Sequence, residues 1–113
     1  MEPAHNVEMN RLLDFYGPLL TERQAEMMRL RLEEDLTLGE IALAMGISRQ
    51  AVHDALHKAE KTLTDMEEKL HLAQRYLLLQ ERVRQAEDQL RAGNVSGAEK
   101  ILSEMRQEGV YGV

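Results

Sequence analysis

The sequence predicts an all-α fold: a helix-turn-helix bundle with one long helix and a C-terminal α-hairpin. Three observations lead there. Apolar residues recur at steps of three and four along nearly the whole chain, and no apolar run alternates with period two. Three Ser/Thr-x-x-Glu/Gln sequences, at Thr21–Gln24, Thr37–Glu40 and Ser96–Glu99, have the spacing of helix-starting capping boxes. Residues 48–92 contain neither glycine nor proline, so composition interrupts no helix there.

The first helix is expected over about Val7–Phe15, with Leu12, Leu13 and Phe15 apolar and Gly17-Pro18 ending it. The Thr21 box opens a second helix that runs to about Glu34. In it Ala25, Met28 and Leu32 form one stripe, which Met27 and Leu30 widen. A helix apolar over so much of its circumference packs against two neighbours. The acidic run Glu33-Glu34-Asp35 opposes the helix dipole at that end and reads as an exposed link.

Thr37–Lys58 carries the densest set of cues. The Thr37 box starts a short helix whose apolar face is Leu38, Ile41, Ala42 and Met45, at i, i+3, i+4 and i+7. Gly46 suits the left-handed position that ends a helix, since glycine takes positive φ without steric cost. Ile47 would plug the core at the turn, and Ser48 is a good N-cap for the next helix. In that helix Val52, Ala55, Leu56 and Ala59 face inward. Together these cues spell a helix-turn-helix, which presents the start of its second helix to a nucleic-acid groove.

The outer face of that second helix keeps Ser48, Arg49, Gln50, His53, His57 and Lys58 as candidate contacts with nucleic acid or a partner. Arginine pairs with a guanine edge and glutamine with an adenine edge, so Arg49 and Gln50 stand where base readers stand. Read blandly, these are ordinary solvated residues of an amphipathic helix. The charge balance tempers the sharper reading: 14 Lys+Arg face 20 Asp+Glu, a net charge of −6. Asp54 lies within the recognition helix itself. Duplex binding through phosphates needs a basic stripe, and none exists here, so any nucleic-acid contact is local, weak or reinforced by a partner.

Beyond Ser48 one seam runs through Val52, Leu56, Ala59, Leu63, Met66, Leu70, Ala73 and Leu77 at alternating steps of four and three. A second stripe, Leu72, Tyr76, Leu79, Val83, Ala86 and Leu90, rises as the first fades. Leu70 and Leu72 lie about 200° apart around a helix. A continuous helix would therefore be apolar on opposite sides near Leu70–Leu79: either it is sandwiched, or the chain breaks and turns. The first stripe serves the helix-turn-helix core. The second is a candidate dimer or partner stripe, and a homodimer is expected.

Gly93-Asn94 signals a turn, and the Ser96 box starts a last helix with Ala98, Ile101, Leu102 and Met105 on one face, ending before Gly109. The tail thus reads as an α-hairpin.

At 113 residues the chain is one domain, or one with an appendage. It has no cysteine, hence no disulfide framework and no thiolate metal site. No apolar run is long enough to span a bilayer and no signal sequence opens the chain, so no membrane insertion and a cytoplasmic location are expected. His53 and His57 share a helix face at i, i+4, but the His-Glu-x-x-His arrangement of a zinc site is absent. Nor is there a nucleophile–base pair or a phosphate loop. The reading is non-enzymatic, with no metal and no cofactor.

The residues resemble the YlxM family, small bacterial proteins associated with the signal recognition particle. The likeness runs through Leu12-Leu13-Asp14-Phe15-Tyr16, Leu19-Leu20-Thr21-Glu22-Arg23-Gln24, Leu38-Gly39-Glu40-Ile41-Ala42 and Ser48-Arg49-Gln50-Ala51-Val52. It continues at Asp54, Lys58, Glu60-Lys61 and Glu67-Glu68-Lys69-Leu70, covering about the first 70 residues. The chain departs from the family in having Arg29-Leu30-Arg31-Leu32 where tyrosines are usual, and histidine at position 53. The resemblance implies a sigma-factor-like helix-turn-helix domain, here residues 1–75; residues 76–113 lie outside it and read, from the second stripe and the hairpin, as a helical extension for dimerisation or partner binding. It further implies a non-enzymatic regulatory adaptor of the signal recognition particle pathway, touching the particle's RNA, its GTPase, or both. The alternative is a DNA-binding transcriptional regulator.

Overall fold

The structure, a computed structural model, describes residues 3–108. Among them are six α-helices and no strand: α1 (Pro3–Tyr16), α2 (Glu22–Leu32), α3 (Leu38–Met45), α4 (Arg49–Leu70), α5 (Leu72–Arg91) and α6 (Val95–Glu108). The chain divides between Leu70 and His71 into two compact units.

In the first unit α4 is the post against which α1, α2 and α3 pack. Its inner face buries Val52, Leu56, Ala59 and Leu63, the first four positions of the seam. The seam then fades: Met66 is half-buried and Leu70 exposed. Leu12, Leu13 and Tyr16 of α1 and Ala25, Met27 and Met28 of α2 complete the core with Ile41 and Ala42 of α3. Met27 and Met28 are adjacent, about 100° apart around the helix, and both are buried. That requires partners on two sides, and α2 contacts α1, α3 and α4. Leu30 and Leu32, expected in the same stripe, are only half-buried. Tyr16 is 1% exposed, and its hydroxyl donates to Glu67 Oε1 at 2.6 Å, so a deeply placed phenol keeps its hydrogen bond.

Three boundaries differ from the sequence reading. Helix α1 begins at Pro3 rather than Val7, because proline suits a first helical turn, and a 3₁₀ turn at Gly17–Leu19 follows it. Helix α2 stops at Leu32, and Asp35 then takes φ +58° to turn the chain toward α3. Helix α6 begins at Val95, not after Ser96: Asn94 Oδ1 accepts from the Gly97 N–H at 2.9 Å and is the cap. Asparagine caps as well as serine, and it stands earlier, beside Gly93 at φ +80°.

Of the two alternatives at Leu70–Leu79, the chain takes the break. His71 adopts φ +55° between α4 and α5, and histidine is among the few non-glycine residues enriched in that region. The second unit is a hairpin of α5 and α6. Arg82 of α5 pairs with Glu104 and Glu108 of α6, so the Arg82 side of α5 faces its partner. Its buried apolar residues are small, Ala73, Ala86 and Ala98, apart from Met105.

The turn of the helix-turn-helix yields a direct test. Gly46 sits at φ +66°, and a Cβ built there meets nothing within 4 Å. Gly46→Ala is therefore expected to cost about 1 kcal/mol from backbone conformation alone, read as a lowered urea midpoint. No change at all would mean that the left-handed turn does not persist in solution.

Candidate nucleic-acid interface

Local hydrogen bonds set the α3–turn–α4 geometry. Thr37 and Glu40 cap α3 reciprocally, at 3.1 Å to the Glu40 N–H and 3.0 Å from the Thr37 N–H. The Thr37 backbone and hydroxyl hold the Glu40 carboxyl below the usual carboxylate range. After Gly46 the Ile47 N–H returns to the Ala42 carbonyl at 3.1 Å. Ser48 Oγ accepts from the Ala51 N–H at 3.0 Å. Its hydroxyl thus spends an acceptor position on starting α4.

Arg49, Gln50, His53, His57 and Lys58 are all exposed, but they do not form one set. At about 100° per residue, Arg49, Gln50, His53 and His57 fall within an arc of about 100°, whereas Lys58 lies about 180° from Arg49. The first four share a face; Lys58 is on another. Asp54 restrains two of the four. Its Oδ1 accepts from Gln50 Nε2 at 2.9 Å and lies 3.4 Å from His53 Nδ1. The His53 and His57 rings stand 6.2 Å apart, centroid to centroid, with planes only 12° from parallel.

This face borders a groove. One depression is lined by Leu38, Arg49, Gln50 and His53. A second adds Arg31, Leu56, His57 and Glu60 to Leu38 and His53. Leu38 and His53 line both, so the two depressions lie side by side along α4. Arg31 comes from the end of α2, where its Nη1 donates to the Leu36 carbonyl at 2.8 Å and fixes the side chain against the link to α3. Sequence reasoning missed Arg31, Leu38 and Glu60 as site residues. Glu60 was legible, three residues after His57 and seven after His53 on the same helix face. Arg31 was not, because only packing of α2 beside α4 brings it there.

Among the described residues, no group of three or more His, Cys, Asp or Glu is arranged to hold a metal ion. No described helix is long and apolar enough to cross a membrane. The candidate stripe on α5 is divided. Ala86, one turn from Arg82, is buried and Leu79 half-buried, while Leu72, Tyr76, Val83 and Leu90 are 39–54% exposed. The correction is that α6 occupies one edge of the stripe, so Ala86 is not available to a partner.

Comparison with known proteins decides the family. The family described as "Putative helix-turn-helix protein, YlxM / p13 like" matches residues 4–103. The chain belongs to it. The UPF0122 protein of Desulforamulus reducens is 54% identical over 76 residues, 67% of this chain and 63% of that protein. The UPF0122 protein of Lacticaseibacillus casei is 46% identical over 76 residues, 67% of each. That of Symbiobacterium thermophilum is 43% identical over 100 residues, 86% of this chain and 91% of its own. The alignment thus spans slightly less than two thirds of the Desulforamulus relative. Membership in this YlxM / p13-like family goes with the all-α helix-turn-helix fold described above and suggests nucleic-acid binding.

Proposed function

We propose that this YlxM-like chain is a non-enzymatic regulatory adaptor of the signal recognition particle pathway, binding the particle's RNA through the α2–α3–α4 groove. The pathway comes from the YlxM resemblance. The RNA comes from local charge: the groove is lined by Arg31 and Arg49 against one carboxylate, Glu60, in a chain of net charge −6. A basic recess in an acidic protein is where a polyanion gains most and is repelled least. In this proposal the helix-turn-helix unit holds the RNA, and the α5–α6 hairpin serves assembly.

Binding to signal recognition particle RNA and to duplex DNA of equal length, each across a salt series, tests the reading. Two or three cation contacts predict a shallow log K against log salt slope of about −2, with RNA favoured near physiological salt. A steep slope with sequence-specific DNA binding would instead support the transcriptional regulator, for which exposed Arg49 and Gln50 at the start of α4 are the favouring observation. Weak binding to both would direct attention to the particle's GTPase.

We also propose that the hairpin forms a homodimer along the exposed edge of the α5 stripe. Val83 and Leu90, seven residues apart, are 41% and 54% exposed, and the hairpin interior is mostly alanine. Val83→Glu with Leu90→Glu is expected to weaken dimerisation at least tenfold in sedimentation equilibrium. An unchanged mass, dimeric or monomeric, in both wild type and variant would remove the stripe from consideration.

A further inference from the structure

The groove is concave where a duplex reader is convex. A helix-turn-helix reads paired DNA by pushing the first turn of its recognition helix into the major groove, a task for Arg49 and Gln50. Beyond them lies a separate depression walled by residues of three helices, Arg31, Leu38, His53, Leu56, His57 and Glu60, set back from that first turn. An unstacked base can enter it.

We propose that the recess between α2, α3 and α4 receives one unpaired nucleobase of the bound RNA; this rests on the RNA-binding reading above. The walls suit that ligand. The rings of His53 and His57 lie nearly parallel, 12° apart in plane, and present flat π surfaces of the kind on which single-stranded bases stack. Leu38 and Leu56 supply apolar surface. Arg31 and Glu60 line the same recess, one a donor and the other an acceptor for the polar edges of a base. Arg49, in the adjoining depression, stands where the flanking phosphate would lie. From Arg49 to Glu60 the groove follows α4 for about 16 Å, room for a few nucleotides rather than one. A partner's leucine or aromatic side chain could use the apolar surface, but it would leave the exposed Arg49 guanidinium unanswered; Arg31 and Glu60 already meet the Leu36 carbonyl and His5 within the chain.

The test uses two RNA hairpins of one sequence carrying the fluorescent base 2-aminopurine, placed in a single-nucleotide bulge in one and paired in the other. The full-length protein is expected to bind the bulged RNA about tenfold more tightly and to change the fluorescence of the bulged base alone. His57→Ala is expected to reduce that advantage to less than threefold, with an unchanged helical circular-dichroism spectrum. Arg49→Ala is expected to weaken both RNAs alike. Equal affinity for the two hairpins, or an advantage that survives His57→Ala and His53→Ala, overturns the base recess. If Arg49→Ala still weakens binding in that case, the RNA-binding reading stands without it. Binding of neither hairpin overturns both.

Discussion

Leu63→Ala is expected to destabilise the N-terminal unit by about 2–5 kcal/mol, the largest effect of any single truncation on α4. Leu63 is 0% exposed and is the last position of the seam that α4 buries. Removing its side chain deletes apolar surface from the core built on α4 and leaves a cavity that its neighbours can fill only in part. For a domain with total stability on the order of 5–15 kcal/mol, that is enough to populate the unfolded state on modest warming. Urea unfolding followed by circular dichroism measures it, with Leu70→Ala as comparison. Leu70 belongs to the same periodic seam but is 44% exposed, so its truncation is expected to cost less than about 1 kcal/mol. Equal effects at the two positions would mean that the seam continues through the break and that the division at His71 is wrong.

Arg49→Ala is expected to weaken RNA binding by about ten- to a hundredfold, the range for loss of one arginine contact to a base or phosphate. Lys58→Ala, by contrast, is expected to change it less than threefold. Both residues are exposed cations of the same helix, so a purely composition-driven attraction would treat them alike. Geometry separates them: Arg49 lines the groove, and Lys58 lies about half a turn of azimuth away. Filter binding or fluorescence anisotropy at two salt concentrations distinguishes the outcomes. Comparable losses from both would move the binding surface off the groove and onto the flank of α4.

Much of the helix-turn-helix was legible because its determinants are local. Thr37 with Glu40, Gly46, and Ser48 act within four residues of themselves, and spacing alone reveals them. The misplaced start of α6 is equally instructive: Ser96-x-x-Glu99 has capping-box spacing, but Asn94, two residues earlier, satisfies the same orphan backbone donors. Local rules propose caps, and the competition between neighbouring caps selects one. Division of the chain at His71 was half legible. Crossed stripes at Leu70 and Leu72 demanded either a sandwich or a turn, and no glycine or proline marked which.

By itself, then, the sequence determined the all-α class, the helix-turn-helix with its turn at Gly46, the inner face of α4 and the acidic charge balance. These follow from backbone sterics and periodicity, which depend on near neighbours. Only the tertiary structure decided that Arg31 of α2 joins His53 and His57 of α4 across Leu38, and that Ala86 is covered while Val83 and Leu90 are not. Each of these depends on which helix lies beside which. Helix packing is set by the summed burial of residues distant in the chain, a quantity no local spacing encodes.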